Sequence, residues 1–141
     1  MHAMLERLLK RWKREGLNVL PPYGEAVVRS TFLEAGTEVQ KDVIVLYSVI
    51  GGIDAPDGNN WRLWPLSEVY KRRAEANGHG VLFSDFLLDS WLYRIKPNDT
   101  ETSAVYVDYF DGREPILVAR SLEQFFEMYL DDPTGVMEAE H

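Results

Sequence analysis

The chain has 141 residues, a formal net charge of −8 and no cysteine. This length is typical of one domain and is sufficient to bury a core without cross-links. The lack of cysteine excludes disulfides, thiolate nucleophiles and thiolate zinc sites. No stretch approaches the roughly 20 apolar residues of a membrane span, and residues 1–14 lack the apolar core of a secretory signal. We therefore expect a cytoplasmic domain with no membrane partner.

The charge is unevenly distributed along the chain. Residues 1–16 carry five bases and two acids, a net charge of +3, whereas residues 97–141 carry two bases and eleven acids, a net charge of −9. An acidic surface of this kind repels phosphate backbones and attracts basic proteins. The pattern predicts a protein partner and no nucleic acid, although the acids could serve only to keep the protein soluble.

The first predicted element is a basic amphipathic helix within residues 1–16. Its apolar stripe consists of four residues at helical spacing: Leu5, Leu8, Leu9 and Trp12. Basic residues in the last turn and Gly16 fit a helix C-terminus. Such a helix can bind membranes or nucleic acids, but more often it packs by one face onto a domain. We treat it as a segment preceding the main domain, which spans residues 17–136.

Two helices are predicted next. The first follows Leu20-Pro21-Pro22 and covers residues 23–35. Thr37 and Gln40 have the spacing of a capping box and predict that the second helix starts there and ends before Gly51. The β-branched run 43–45 favours a strand instead, but the cap and the apolar period together favour the helix.

Residues 53–78 are predicted to form a turn, a short strand and a helix, in that order. Residues 53–60 are rich in turn formers, and their spacing does not match a calcium-binding loop. Residues 61–66 resemble a short strand. Ser67 is expected to cap a helix that runs through Asn77 and ends at Gly78.

From Gly80 to Ala119 the apolar period changes to two, which is typical of strands. Four strands are predicted, at residues 81–83, 91–95, 104–109 and 115–119. Asp111-Gly112 is a hairpin turn signal. Because no helix lies between these strands, we expect antiparallel pairing.

A last helix is expected after Ser121, which forms a second capping box with Gln124. Asp132-Pro133 ends it, and residues 137–141 are expected to be a loose tail that begins near Val136. The predicted architecture is a single α+β domain, in which N-terminal helices and one C-terminal helix pack on an antiparallel β-sheet meander.

Residues suited to catalysis are few. His2 and His141 lie at the chain ends, and His79 lies in a glycine-flanked turn, where an exposed loop residue is more common than a ligand or base. The chain has no phosphate-binding glycine loop, nucleophile elbow or zinc-protease motif. We expect no enzyme activity, no metal and no cofactor. A site assembled from scattered carboxylates such as Asp85 stays open as an alternative, because motifs do not reveal such a site.

Trp61 and Trp64 are aromatic residues for which two roles are open. A ring of this size usually packs in the core or at its edge. Base stacking is the other role, but it normally requires a basic setting that this chain lacks.

The order of several short motifs resembles the SUKH superfamily, which includes fungal cell-wall assembly regulators and bacterial immunity proteins. The matching motifs run from about residue 17 to residue 136: Leu20-Pro21, Leu46-Tyr47, Gly51-Gly52, Leu63-Trp64-Pro65-Leu66, Leu82-Phe83-Ser84-Asp85-Phe86, Val118-Ala119-Arg120-Ser121, Phe125-Phe126, Tyr129-Leu130 and Asp132-Pro133. The resemblance implies an α+β fold without shared catalytic residues. The basic helix at residues 1–16 lies outside it.

The resemblance also implies a function. SUKH proteins of bacteria are typically immunity proteins that neutralise a cognate toxin, often a nuclease, so the expected partner is a basic toxin domain. The alternative is a regulatory or scaffold protein of the cell-wall assembly type, with no toxin partner. From charge clustering we expect Asp108, Asp111 and Glu114 to form the binding surface, with Trp61 as an aromatic anchor.

Overall fold

The computed structural model describes residues 1–137 and has the predicted α+β architecture, with helices packed on one antiparallel sheet. The helices are α1 His2–Arg14, α2 Glu25–Glu34, α3 Lys41–Val49, α4 Leu66–Lys71, α5 Leu122–Asp131 and α6 Thr134–Met137, and a 3-10 helix covers Arg73–Glu75. The strands are β1 Trp61–Leu63, β2 Val81–Phe86, β3 Trp91–Pro97, β4 Ser103–Asp108 and β5 Ile116–Ala119.

The sheet is a meander in which neighbours in sequence are neighbours in space, in the order β1-β2-β3-β4-β5. Every pairing is antiparallel, as the close spacing of the strands predicted. Trp61 lies opposite Phe86, and Leu92 lies opposite Asp108. This register brings the end of β2, the end of β4 and the starts of β1, β3 and β5 to one end of the sheet.

Two of the predicted helix caps are wrong and one is right. The Thr37 hydroxyl donates to the Glu38 carbonyl instead of capping α3, which begins at Lys41. Ser67 lies inside α4, and that helix ends at Lys71, well before Asn77. The Ser121 hydroxyl does accept a hydrogen bond from the Gln124 backbone N–H at 3.0 Å.

The basic helix α1 is part of the same core as the rest of the chain. Leu5, Leu8 and Trp12 are fully buried. On the flank of the helix, Arg11 Nη2 donates to the Leu130 carbonyl at 3.1 Å, close to the C-terminus of α5, where the helix dipole favours a cation. Residues 1–16 are therefore packed into the domain and do not form a separate segment.

The C-terminal prediction needs a correction. Val136 and Met137 belong to α6 and are buried, and the Val136 carbonyl accepts a hydrogen bond from the Tyr93 hydroxyl at 2.9 Å. These two residues do not form a loose tail, because their apolar side chains complete the core beside β3. The rest of the predicted tail, residues 138–141, lies outside the described residues.

Within residues 1–137 no helix combines the length and the apolar character needed to cross a bilayer.

Candidate protein-binding surface

Three loops meet at the end of the sheet defined above: residues 54–60 before β1, residues 87–90 between β2 and β3, and residues 109–115 between β4 and β5. We call this surface the loop end. Loops held by a rigid sheet are a common location for binding residues. Two of the four residues that charge and aromatic content predicted as a binding site, Asp111 and Glu114, lie in these loops, and Asp108 directly precedes the third loop.

The tightest part of the loop end is the β2–β3 turn. Leu87, Leu88 and Asp89 have backbone φ angles of 53°, 49° and 72°, which place three successive non-glycine residues in the left-handed region. Leucine has no side-chain group that favours this region, and the conformation costs an L-residue about 1–2 kcal/mol. Such strain persists only where surrounding contacts hold it, and it is concentrated at functional sites.

Hydrogen bonds fix this turn in place. The Leu87 backbone N–H donates to the Asn60 carbonyl at 2.9 Å, which ties the turn to the loop before β1. The Leu87 carbonyl accepts from the Ser90 hydroxyl at 2.8 Å and also from the Ser90 backbone N–H. The side chains of both leucines nevertheless extend outward, with 46% of Leu87 and 79% of Leu88 exposed.

Apolar side chains continue across the loop end. Phe86 and Trp91, on either side of the turn, stack with ring centroids 4.9 Å apart, and Tyr109 packs edge-on against Trp91 at 5.0 Å. Phe110 has a left-handed backbone with a φ of 54°, and the residue is 53% exposed. The backbone of Phe110 is held by a hydrogen bond from its N–H to an Asp108 carboxylate oxygen at 2.8 Å.

Trp61 is buried rather than exposed, which corrects the predicted aromatic anchor. Its relative exposure is 0%, and its ring packs between Trp12 at 6.1 Å and Tyr129 at 4.8 Å, with Phe125 at 5.7 Å. The ring therefore cannot contact a partner in this conformation. Trp61 therefore packs in the core, which is the usual role of so large a ring.

The turn-rich segment 54–60 contains a buried carboxylate that sequence reasoning missed. Asp57 accepts hydrogen bonds from Trp12 Nε1 at 2.9 Å and from the Tyr129 hydroxyl. Its other oxygen accepts from the backbone N–H groups of Asn59 and Trp61. Burial and the nearby Asp57 carboxylate raise the pKa of Tyr129 well above its usual range, so the phenol stays protonated as the donor. Asp57 thus joins the loop end to α1 and α5.

Asp108 is at the loop end, but it is buried and paired. Its carboxylate accepts a hydrogen bond from Arg94 Nε at 3.0 Å, and its relative exposure is 7%. Arg94 Nη1 in turn donates to the carbonyls of Glu75 and Gly80, both at 2.8 Å. This network holds the β4–β5 loop against the sheet. The predicted role of Asp108 as a surface acid is corrected to a structural one, because its charge is enclosed with Arg94.

Asp111 and Glu114 are exposed, as the predicted binding role requires. Asp111 forms an ion pair with Arg113 Nη2 at 2.6 Å, and the hydrogen bond from the Arg113 side chain lowers the pKa of Asp111. The Glu114 side chain is 87% exposed, and His79 Nδ1 lies 3.8 Å from its carboxylate. Of the acids that charge clustering predicted, Glu114 is the one most accessible to a partner.

Asp85 lines a cleft beside the β2–β3 turn. Its carboxylate accepts a hydrogen bond from Trp64 Nε1 at 2.5 Å and lies 3.5 Å from Arg62 Nε. Burial is the largest effect on this carboxyl and raises its pKa, while the hydrogen bond from Trp64 and the charge of Arg62 act in the opposite direction. The cleft has a volume of about 320 Å³ and is also lined by Asp54, Leu88 and Asp89.

The leucines of the turn had a signal in the sequence. The segment between the predicted strands 81–83 and 91–95 should be rich in Gly, Asn, Asp or Ser, and Leu87 and Leu88 lie within it beside Asp89 and Ser90. A pair of apolar residues where polar residues are expected indicates an exposed patch. The hydrogen bonds of Asp57 had no such signal, because they join residues that are far apart in sequence.

Among residues 1–137, no group of three or more acidic or histidine side chains is placed to hold a metal ion.

A scan of the chain against protein-family models gives no match, and a search of curated proteins gives none either. The resemblance to the SUKH superfamily therefore remains an expectation based on the motifs quoted above.

Proposed function

We propose that this chain is a non-enzymatic module that binds a basic protein partner through the loop end. The most specific form of the proposal is an immunity protein that neutralises a cognate toxin in the cytoplasm, as the SUKH resemblance implies. The observation that carries it is the concentration of exposed apolar side chains at the loop end: Leu87, Leu88 and Phe110. Exposed apolar groups with a polar surround are typical of protein interfaces.

Charge supports the choice of a basic partner. The chain has a net charge of −8, and the acids at its C-terminal third far outnumber the bases. Complementary charge accelerates association and disfavours wrong partners. A nuclease active site is one example of a basic surface, since it must hold phosphates, and an acidic protein can cover it.

The internal partners of the carboxylates support a non-enzymatic role. Asp57 accepts from Trp12 and Tyr129, and Asp108 is paired with Arg94. A general acid or base must reach a substrate, whereas these groups hold elements of the fold together.

The experiment uses the purified protein as bait in lysate from its source, at low and moderate salt. We expect one basic protein to be retained in near-stoichiometric amount and to lose its toxic activity when this chain is added back. Loss of binding at moderate salt would agree with electrostatic steering. Retention of housekeeping assemblies alone would contradict the immunity role and favour the regulatory or scaffold alternative.

A further inference from the structure

The β2–β3 turn and the cleft beside it form one continuous surface. Leu88 belongs to both, because it is the more exposed of the two leucines in the turn and also lines the cleft. The rest of the lining is mostly acidic or small: Asp54, Ala55, Pro56, Arg62, Asp85 and Asp89.

We infer that this surface binds a segment of the partner in which a lysine or arginine lies next to a large apolar side chain. The apolar side chain packs on Leu87 and Leu88, and the cation enters the cleft. This inference rests on the proposed function and specifies the chemistry of the partner. Neither leucine is among the residues that charge clustering predicted.

The charge of the cleft favours a cation over an anion. Three carboxylates, from Asp54, Asp85 and Asp89, face one guanidinium, from Arg62, so the lining has a formal charge of −2. Arg62 lies 3.5 Å from Asp85, and Arg72 Nη1 lies 3.4 Å from the half-exposed Asp89. The Asp54 carboxylate accepts a hydrogen bond from the Asn18 side-chain amide at 3.0 Å. An incoming cation is therefore attracted to Asp54 and Asp89 at the open side of the cleft.

The backbone of the turn supports the same role for the leucines. Asn or Gly would adopt the left-handed conformation at lower cost than Leu. The turn is held rigidly by Asn60 and Ser90, so its side chains are already positioned before a partner arrives. Rigid positioning reduces the entropy lost on binding. An exposed leucine in this conformation lowers the stability of the free protein, and its side chain is available to contact another molecule.

A random twelve-residue peptide library displayed on phage tests the inference, and it does not require that the partner be identified first. The library is panned on the wild-type protein, on the double variant Leu87→Asn with Leu88→Asn, and on Leu33→Asn. Leu33 is the matched control because it is 66% exposed but lies on α2, away from the loop end. Asparagine is chosen because it removes the apolar side chain, adds no charge and tolerates the left-handed region.

We expect wild type and Leu33→Asn to enrich the same peptides, which combine Lys or Arg with Leu, Phe or Trp. On the double variant we expect enrichment of those peptides to fall by at least about tenfold, as for loss of an interface hot spot. We also expect Leu88→Asn alone to raise Tm by about 2–4 °C, because it relieves backbone strain at an exposed position. A thermal melt of each variant confirms that it is folded.

Three results would overturn the inference. They are equal enrichment on the double variant, enrichment of acidic peptides, and no enrichment on wild type. A lowered Tm for Leu88→Asn would show that the leucine stabilises the turn, which contradicts the argument from strain. The proposed function is tested separately by the lysate experiment. A basic partner retained equally by wild type and the double variant would reject this surface and leave standing only the binding of a basic partner.

Discussion

Trp12 on α1 donates its indole N–H to the carboxylate of Asp57 at 2.9 Å, across 45 positions of the sequence. The same carboxylate oxygen accepts from the Tyr129 hydroxyl on α5. A loop residue therefore connects the first helix, the last long helix and the loop end, and the buried Trp61 ring packs between the rings of Trp12 and Tyr129.

Asp57→Ala should be among the most destabilising single changes in the chain. It leaves two buried side-chain donors, Trp12 Nε1 and the Tyr129 hydroxyl, without their acceptor, and we expect a loss of about 3–5 kcal/mol in the free energy of unfolding. Trp12→Phe keeps an aromatic ring but removes one donor, so it should cost less, about 1–2 kcal/mol. Urea denaturation followed by fluorescence measures both. Equal stability of Asp57→Ala and wild type would show that these hydrogen bonds contribute nothing.

Removal of residues 1–16 should abolish cooperative unfolding. The deletion exposes the core face that Leu5, Leu8 and Trp12 cover, and it removes a donor to Asp57. Circular dichroism during thermal denaturation reports the result. A truncated chain that still melts in one sharp transition near the wild-type Tm would show that α1 is an accessory segment.

Arg94 and Asp108 should affect stability together. Arg94→Met leaves a buried carboxylate without its cation, and we expect a loss of about 3–5 kcal/mol. Combining Arg94→Met with Asp108→Leu should recover a large part of that loss, because no charge is then left unpaired. Urea titrations of the wild type, both single variants and the double variant give the coupling energy. Strictly additive effects of the two changes would contradict the pairing.

The ionisation of Asp85 should make the folded protein less stable as pH rises from acid toward neutral. The folded-state pKa of Asp85 is raised above its ordinary value of 3.8, so just above pH 3.8 the folded state holds a proton that the unfolded state has released. Stability from this group is therefore lost as pH rises through that window. Asp85→Asn has no such proton, and its amide oxygen can still accept from Trp64.

The test of this pH effect compares Asp85→Asn with wild type by urea denaturation at pH 4 and pH 7. We expect the free energy of unfolding of Asp85→Asn, relative to that of wild type, to be higher at pH 7 than at pH 4. Asp111→Asn is the control, because its pKa is lowered and its exposed carboxylate is paired with Arg113. The burial effect on Asp85 would be contradicted if the relative stability of the variant were the same at both pH values, or lower at pH 7 than at pH 4.

The sequence predicted the fold class because the strand region has a clear period of two and no helix interrupts it. It predicted the helix caps poorly at Thr37 and Ser67, since a capping pattern is short and core packing decides where a helix begins. The position of Trp61 is a further example: its ring contacts α1 and α5, which lie about 49 and 64 positions away in sequence. Such contacts leave no trace in local periodicity.

For the same reason, only part of the candidate site could be predicted from the sequence. Charge counting identified Asp111 and Glu114, which are exposed, but it also included Asp108, which Arg94 neutralises from the neighbouring strand. The pairing depends on strand register, which the sequence did not specify. The exposed leucines were visible in the sequence, and their backbone conformation was not.

The affinity of the captured basic partner for the wild-type protein and its variants shows whether the loop end binds that partner. Biolayer interferometry at two salt concentrations would compare wild type, the Leu87→Asn with Leu88→Asn double variant, Glu114→Lys, and the control Leu33→Asn. We predict unchanged binding for Leu33→Asn, a Kd raised at least about tenfold for the double variant, and slower, less salt-sensitive association for Glu114→Lys. Binding that is the same for all four proteins would contradict the claim that the loop end binds the partner.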